Sequence, residues 1–133
     1  MIPKPHSLPE EDYLNVKLLV AGVRTAGRAP RRIQLAFQIL IANESRESVR
    51  LKGRKWMIRD ASGEVSVVEA ENVFNMQPLL KPGEVFSYAG NHVLTAPATH
   101  IELRFFGLNR AVMPFISPPF AFPKAALALP PRS

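Results

Sequence analysis

The chain has 133 residues, 47% of them hydrophobic and 21% charged, with no cysteine and a formal net charge of +6. This composition fits one globular domain with its own core and excludes a wholly disordered chain. The absence of cysteine excludes disulfides, thiolate metal sites and thiol nucleophiles, and it leans toward a reducing, cytoplasmic location.

Read from its start, residues 1–11 form an N-terminal extension with three prolines and no apolar run of the kind a signal peptide needs. No stretch is long and apolar enough to span a bilayer as a helix. A strand is expected over 13–23, with Leu14, Val16, Leu18 and Val20 on one side, followed by a loop over 22–30. Ile33, Leu35, Phe37, Ile39 and Ile41 then alternate with Gln34, Ala36, Gln38 and Leu40, the period of a strand with one buried face. Asn43-Glu44-Ser45 ends that run with turn chemistry.

In the next strand, 49–60, the parity breaks. Val49 and Leu51 share one face and Trp56 and Ile58 the other parity, with Gly53 between them, so a β-bulge near Gly53 restores a common face. Arg50, Lys52, Lys55, Met57 and Arg59 then point outward as a basic row, read as a solvated face or as a contact surface for anions. Asp60-Ala61-Ser62-Gly63 is a turn leading to a short strand with Val65, Val67 and Val68. Lys81-Pro82-Gly83-Glu84 is another, leading to a strand with Phe86 and Tyr88 on one face. Residues 100–106 alternate again, and 113–117 is a last short strand. Seven to eight short strands without a capped helical stripe give an all-β antiparallel sandwich. Its expected core holds Leu35, Phe37, Ile39, Trp56, Ile58, Phe86 and Phe105. Residues 124–133 read as a Pro/Ala-rich tail.

The run Arg54-Lys55-Trp56-Met57-Ile58-Arg59-Asp60-Ala61-Ser62-Gly63-Glu64-Val65 resembles the strand–turn–strand hallmark of the ApaG family. Gln77-Pro78, Leu80-Lys81-Pro82-Gly83-Glu84, Phe86, Tyr88, Leu94, Pro97 and Pro114-Phe115-Ile116 follow in the family's order, so the resemblance covers about 12–123. It implies an immunoglobulin- or fibronectin-III-like sandwich with no established catalytic activity. The family's bacterial members are associated with cobalt and magnesium tolerance. Related domains in F-box proteins and in a DNA-polymerase-interacting protein imply protein recognition. The family's Gly-x-Gly-x-x-Gly stretch is replaced here by Ala70, Asn72 and Asn75, its His before the Trp by Lys55, and two later glycines by Thr99 and Leu103. Asn72 and Asn75 tolerate positive φ, which keeps the loop shape accessible without a glycine phosphate cradle.

The residues themselves point to binding, not catalysis. Ser62 and Ser87 have no nucleophile-elbow context, and the carboxylates are scattered over turns. His6, His92 and His100 lack a carboxylate at ligand spacing, so no metal site or cofactor is expected, although His92 and His100 are candidates to approach each other across strands. Trp56 is expected in the core, which leaves the basic row without an exposed aromatic and argues against specific nucleic-acid readout. Arg54 is expected to pair with Glu69 or Glu71. The first functional reading is a protein-contact surface around Asn72, Phe74, Asn75, Met76 and Gln77 and the neighbouring outer face, with self-association through sheet edges as one form of it. The alternative is a small anionic ligand, a nucleotide or polyphosphate, held by Arg54, Lys55 and Arg59.

Overall fold

The unbroken alternation from Ile33 to Ile41 builds the middle strand of a small sheet. In the computed structural model, which describes residues 8–26 and 32–128, this strand is β2 (Arg32–Asn43). It lies between β1 (Leu14–Ala26) and β6 (Val85–Leu94). The larger sheet runs β4 (Val65–Glu71), β3 (Val49–Asp60), β7 (Ala98–Leu108), β8 (Pro114–Ile116). β5 (Leu79–Leu80) also pairs with β3, and β9 (Phe120–Ala121) with β7. All these strand pairs are antiparallel. Leu35, Ile39 and Ile41 of the small sheet are fully buried, as are Leu51, Ile101, Leu103 and Phe105 of the large one. Each contributes about 1.5–3 kcal/mol by leaving water.

The expected bulge is present. Leu51 pairs with Gly107 and Gly53 with Phe106, so Lys52 is the extra residue on β3. The shift puts Val49, Leu51, Trp56 and Ile58 on one buried face. Glycine is required there because an added Cβ would strike the Phe106 ring and sit 2.5 Å from the Ala70 carbonyl oxygen. The expected turns form as well. Gly63 N–H bonds the Asp60 carbonyl at 3.0 Å and Glu84 N–H bonds that of Lys81 at 2.9 Å, with positive φ at Gly63 and Gly83.

Other expectations are corrected. β1 carries a second bulge between Leu18 and Val20, which turns Val20 to solvent and Val23 inward. β1 also continues to Ala26, so the loop placed at 22–30 is strand in its first part. Residues 27–31 lie outside the described residues. Among the described residues there are nine strands, not seven to eight, because β5 and β9 are two-residue pairings too short to show a period. Phe86 is only partly buried, at the margin of the core, whereas Tyr88 is buried.

The terminal segments are partly tied down. Glu11 N–H bonds the Ile116 carbonyl and Ile116 N–H that of Pro9, both at 2.9 Å, while Glu10 pairs with Arg104 at 3.0 Å. Of the tail, Lys124–Leu127 form a single helical turn, α1, whose Leu127 is buried against β1 and β7. Residues 1–7, including His6, and residues 129–133 lie outside the described residues. Among the described residues no helix is long and apolar enough to cross a membrane.

Candidate functional site

β4 leaves the large sheet at Glu71, and the chain reverses at once. Val73 and Met76 bond each other in both directions, N–H to carbonyl at 2.6 and 3.1 Å, around Phe74 and Asn75. Both of those residues have positive φ (49° and 60°), the pattern of a two-residue type I′ turn, and Asn72 before them lies at 70°. The asparagines at the lost glycine positions therefore do adopt left-handed backbone. Phe74 does so too, against its Cβ, at a cost of about 1–3 kcal/mol. Val73 is fully buried beneath the turn, whereas Phe74 and Met76 are 55% and 53% exposed. One face of Phe74 stacks on Tyr88 of β6, with ring centroids 6.0 Å apart.

Beneath the turn a cleft of about 280 Å³ opens between the sheets, at the edges formed by β4 and β6. Its floor is aromatic. Phe37 and Trp56 lie 5.3 Å apart, and His92 stacks on Trp56 at 5.1 Å. Arg54 lines one wall and Tyr88 another. Arg54 Nη1 donates to the Asn72 carbonyl at 2.5 Å and to that of Glu71 at 3.3 Å. It therefore clamps the turn through main-chain oxygens. Among the described residues it forms no ion pair, so the expected partnership with the Glu69 or Glu71 carboxylate does not occur.

The basic residues of β3 are divided by the pleat. Arg54 shares the inward parity of Trp56 and Ile58, while Lys55, Met57 and Arg59 take the other. Arg54, Lys55 and Arg59 thus do not converge on one ligand. Much of the remaining row is occupied internally. Arg50 Nη1 donates to the Gln77 main-chain carbonyl and Lys52 Nζ to the Gln77 side-chain oxygen, both at 2.7 Å, and Lys55 lies 3.8 Å from Glu69. Gln77 is thereby a tether of the loop, while Asn72, Phe74, Asn75 and Met76 form its presented tip.

His92 and His100 are not brought together. His92 belongs to the small sheet and stacks inward, whereas His100 is on the large sheet beside Glu102, at 3.0 Å. Among the described residues no group of three or more His, Asp or Glu is arranged to hold a metal ion. The roles of Tyr88 and His92 in the cleft were missed from sequence. Their shared parity on one strand was visible, but not that this face meets Trp56 of the opposite sheet.

Burial, with the nearby Arg54 charge adding to it, holds the His92 pKa below its ordinary value. The folded state then binds a proton less readily than the unfolded chain. The stability this confers is present above the unfolded pKa of about 6.5 and lost as pH falls through the folded one. Melting temperatures measured from pH 7.5 down to 5 should fall more steeply for the natural chain than for His92→Asn. Parallel curves would show that His92 does not charge on unfolding.

An ApaG-domain family model matches residues 27–106. The chain is 34% identical over 91 residues to Protein ApaG of Acidithiobacillus ferrooxidans, a match covering 68% of this chain and 72% of that one. It is 43% identical over 63 residues to Protein ApaG of Beijerinckia indica subsp. indica, covering 47% of this chain and 48% of the relative. The matched stretch thus spans about half the length of the relatives with the higher identities. Among solved structures, a putative ApaA protein from Bordetella pertussis superposes with a TM-score of 0.67 at 25% identity, covering 86% of this chain and 94% of that one. An X-ray structure of a structural-genomics target superposes with a TM-score of 0.74 at 21% identity, over 90% and 89% of the two chains, which shows the shared fold.

Proposed function

The chain belongs to the ApaG-domain family, and we propose that it is a non-enzymatic protein-binding module whose contact surface is the 73–76 turn with the adjoining edge of β4. One observation carries this reading. A large apolar side chain, Phe74, is held at solvent by a backbone conformation that glycine or asparagine adopts more easily. Met76 beside it is exposed as well, and so are Val65, Val67 and Val68 along the edge strand β4. Such a surface fits an extended partner segment that adds a strand to the edge of β4 and packs an apolar residue against Phe74. The same edge would serve self-association, and sedimentation of the purified chain separates that case from a foreign partner.

The test divides binding from folding. Phe74→Gly removes the strain and the Tyr88 stacking together, two contributions of similar size and opposite sign, so stability should stay within about 1 kcal/mol of the natural chain. Affinity purification from the native cell should then recover partners with the natural chain and lose them with Phe74→Gly or Met76→Ala. The same partners recovered at the same yield by both variants would refute this surface.

A further inference from the structure

We propose that the cleft under the 73–76 turn is an oxyanion site, in which the Arg54 guanidinium and the Tyr88 hydroxyl receive a carboxylate or phosphate group. Three observations converge there, independently of the protein-contact reading. First, Arg54 is a part-buried cation whose only bonds among the described residues are to two main-chain carbonyls. Only Nη1 makes those bonds, so Nη2 and Nε keep their donors, and a planar guanidinium offers them as a pair suited to two oxygens of one anion. A cation in a partly dry wall without an anionic partner is costly, and a bound oxyanion offsets that cost.

Second, the Tyr88 hydroxyl is buried, with the residue only 7% exposed, yet it finds no hydrogen-bond partner among the described residues. Buried hydroxyls are nearly always satisfied, and because Tyr88 lines the cleft its orphan hydroxyl is a donor available to a group bound there. Burial pushes the Tyr88 pKa up to about 12, with Arg54 pulling against this, so the hydroxyl stays protonated and able to donate at neutral pH. Third, the cleft is sheltered. Phe37, Trp56 and Phe74 line it, and partial exclusion of water by these rings strengthens a charge-assisted bond relative to bulk water. Its volume of about 280 Å³ has room for a phosphate group or a small carboxylic acid. Glu69 and Glu71 send no carboxylate to Arg54, so the position is not already filled from within the described chain.

The experiment is a titration of the full chain, followed by backbone amide chemical shifts at constant ionic strength. One arm uses inorganic phosphate, a second acetate, and a third chloride. The expected result is saturable shifts at Gly90, Asn91 and His92 and at Asn72 to Asn75, with phosphate, acetate or both, and none with chloride. Saturation by phosphate alone assigns a phosphoryl ligand; saturation by acetate assigns a carboxylate. Arg54→Gln and Tyr88→Phe should each weaken binding about tenfold or more, the range for losing a hydrogen bond to a charged group. Should Arg54→Gln unfold the turn, the shift map of the natural chain and the near-isosteric Tyr88→Phe still decide. Non-saturable shifts, shifts centred on Lys55 and Arg59, or affinity unchanged in Tyr88→Phe would overturn the site.

Discussion

Trp56→Ala is expected to lower folding stability by about 3–5 kcal/mol, a large part of what a domain of this size possesses. Trp56 is 3% exposed and is wedged between the sheets. Phe37 approaches it from the small sheet at 5.3 Å, Phe122 from the C-terminal segment at 5.6 Å, and His92 stacks on it at 5.1 Å. These neighbours hang from three different segments, so none can collapse inward without leaving its own contacts, and a cavity remains. The midpoint of thermal unfolding should fall by about 10 °C or more. Trp56 is the only tryptophan, so its fluorescence vanishes with it and the transition is followed by far-ultraviolet circular dichroism in urea. Trp56→Phe keeps an aromatic plug and should recover about half of the loss. A melting curve for Trp56→Ala that overlays the natural one would mean that the ring is not buried in solution.

Trp56 also shows how far the sequence carries. Its inward direction followed from parity with Ile58 and from the bulge at Gly53, because period-two alternation is a property of the single strand. The same parity already separated Arg54 from Lys55 and Arg59, and their clustering in the chain was misleading because adjacent strand residues face opposite sides. The left-handed backbone at Asn72 and Asn75 was legible from the tolerance of asparagine for that region. Positive φ at Phe74 was not, since nothing about phenylalanine signals it, and only the Val73–Met76 bonds and the Tyr88 contact force it. The cleft itself was hidden for a related reason. Arg54 and Tyr88 meet across two sheets, and which strands form the facing edges depends on the topology of the whole sandwich, not on any local pattern. Val65, Val67 and Val68 likewise read as strand but not as exposed, because edge position is a fact about neighbours.

Asn43→Ala is expected to cost about 3 kcal/mol, although no charge, aromatic or large volume is lost. Asn43 is fully buried at the end of β2. Its side-chain amide donates to the Glu47 carbonyl at 2.8 Å and to the Leu80 carbonyl at 2.9 Å. Its Oδ1 accepts from the Ser45 N–H at 3.0 Å and from the Ser45 hydroxyl at 2.7 Å. Its main chain bonds Glu84 and Gly83. One side chain therefore joins the turn after β2 to β5 and stands beside the turn before β6. Truncation removes all four of these side-chain hydrogen bonds, the buried one to the Leu80 carbonyl among them, at about 0.5–1.5 kcal/mol for each. Ser45 Oγ also bonds the Glu47 carbonyl, so that oxygen keeps one partner. Asn43→Asp separates this account from a simple packing loss. A buried carboxylate would set its oxygen against the Glu47 and Leu80 carbonyls, so its pKa is raised and its proton is needed as the missing donor. Stability of that variant, relative to the natural chain, should be higher near pH 4.5 than at pH 7.5 and lost as pH rises through the raised pKa. Because β5 anchors the chain leaving the 73–76 turn, Asn43→Ala should also speed amide exchange at Leu80, Leu51 and Val73, while Arg104 and Phe120 on the far side of the large sheet keep their protection. Equal acceleration everywhere would show that Asn43 stabilises the domain globally and does not hold the turn in place.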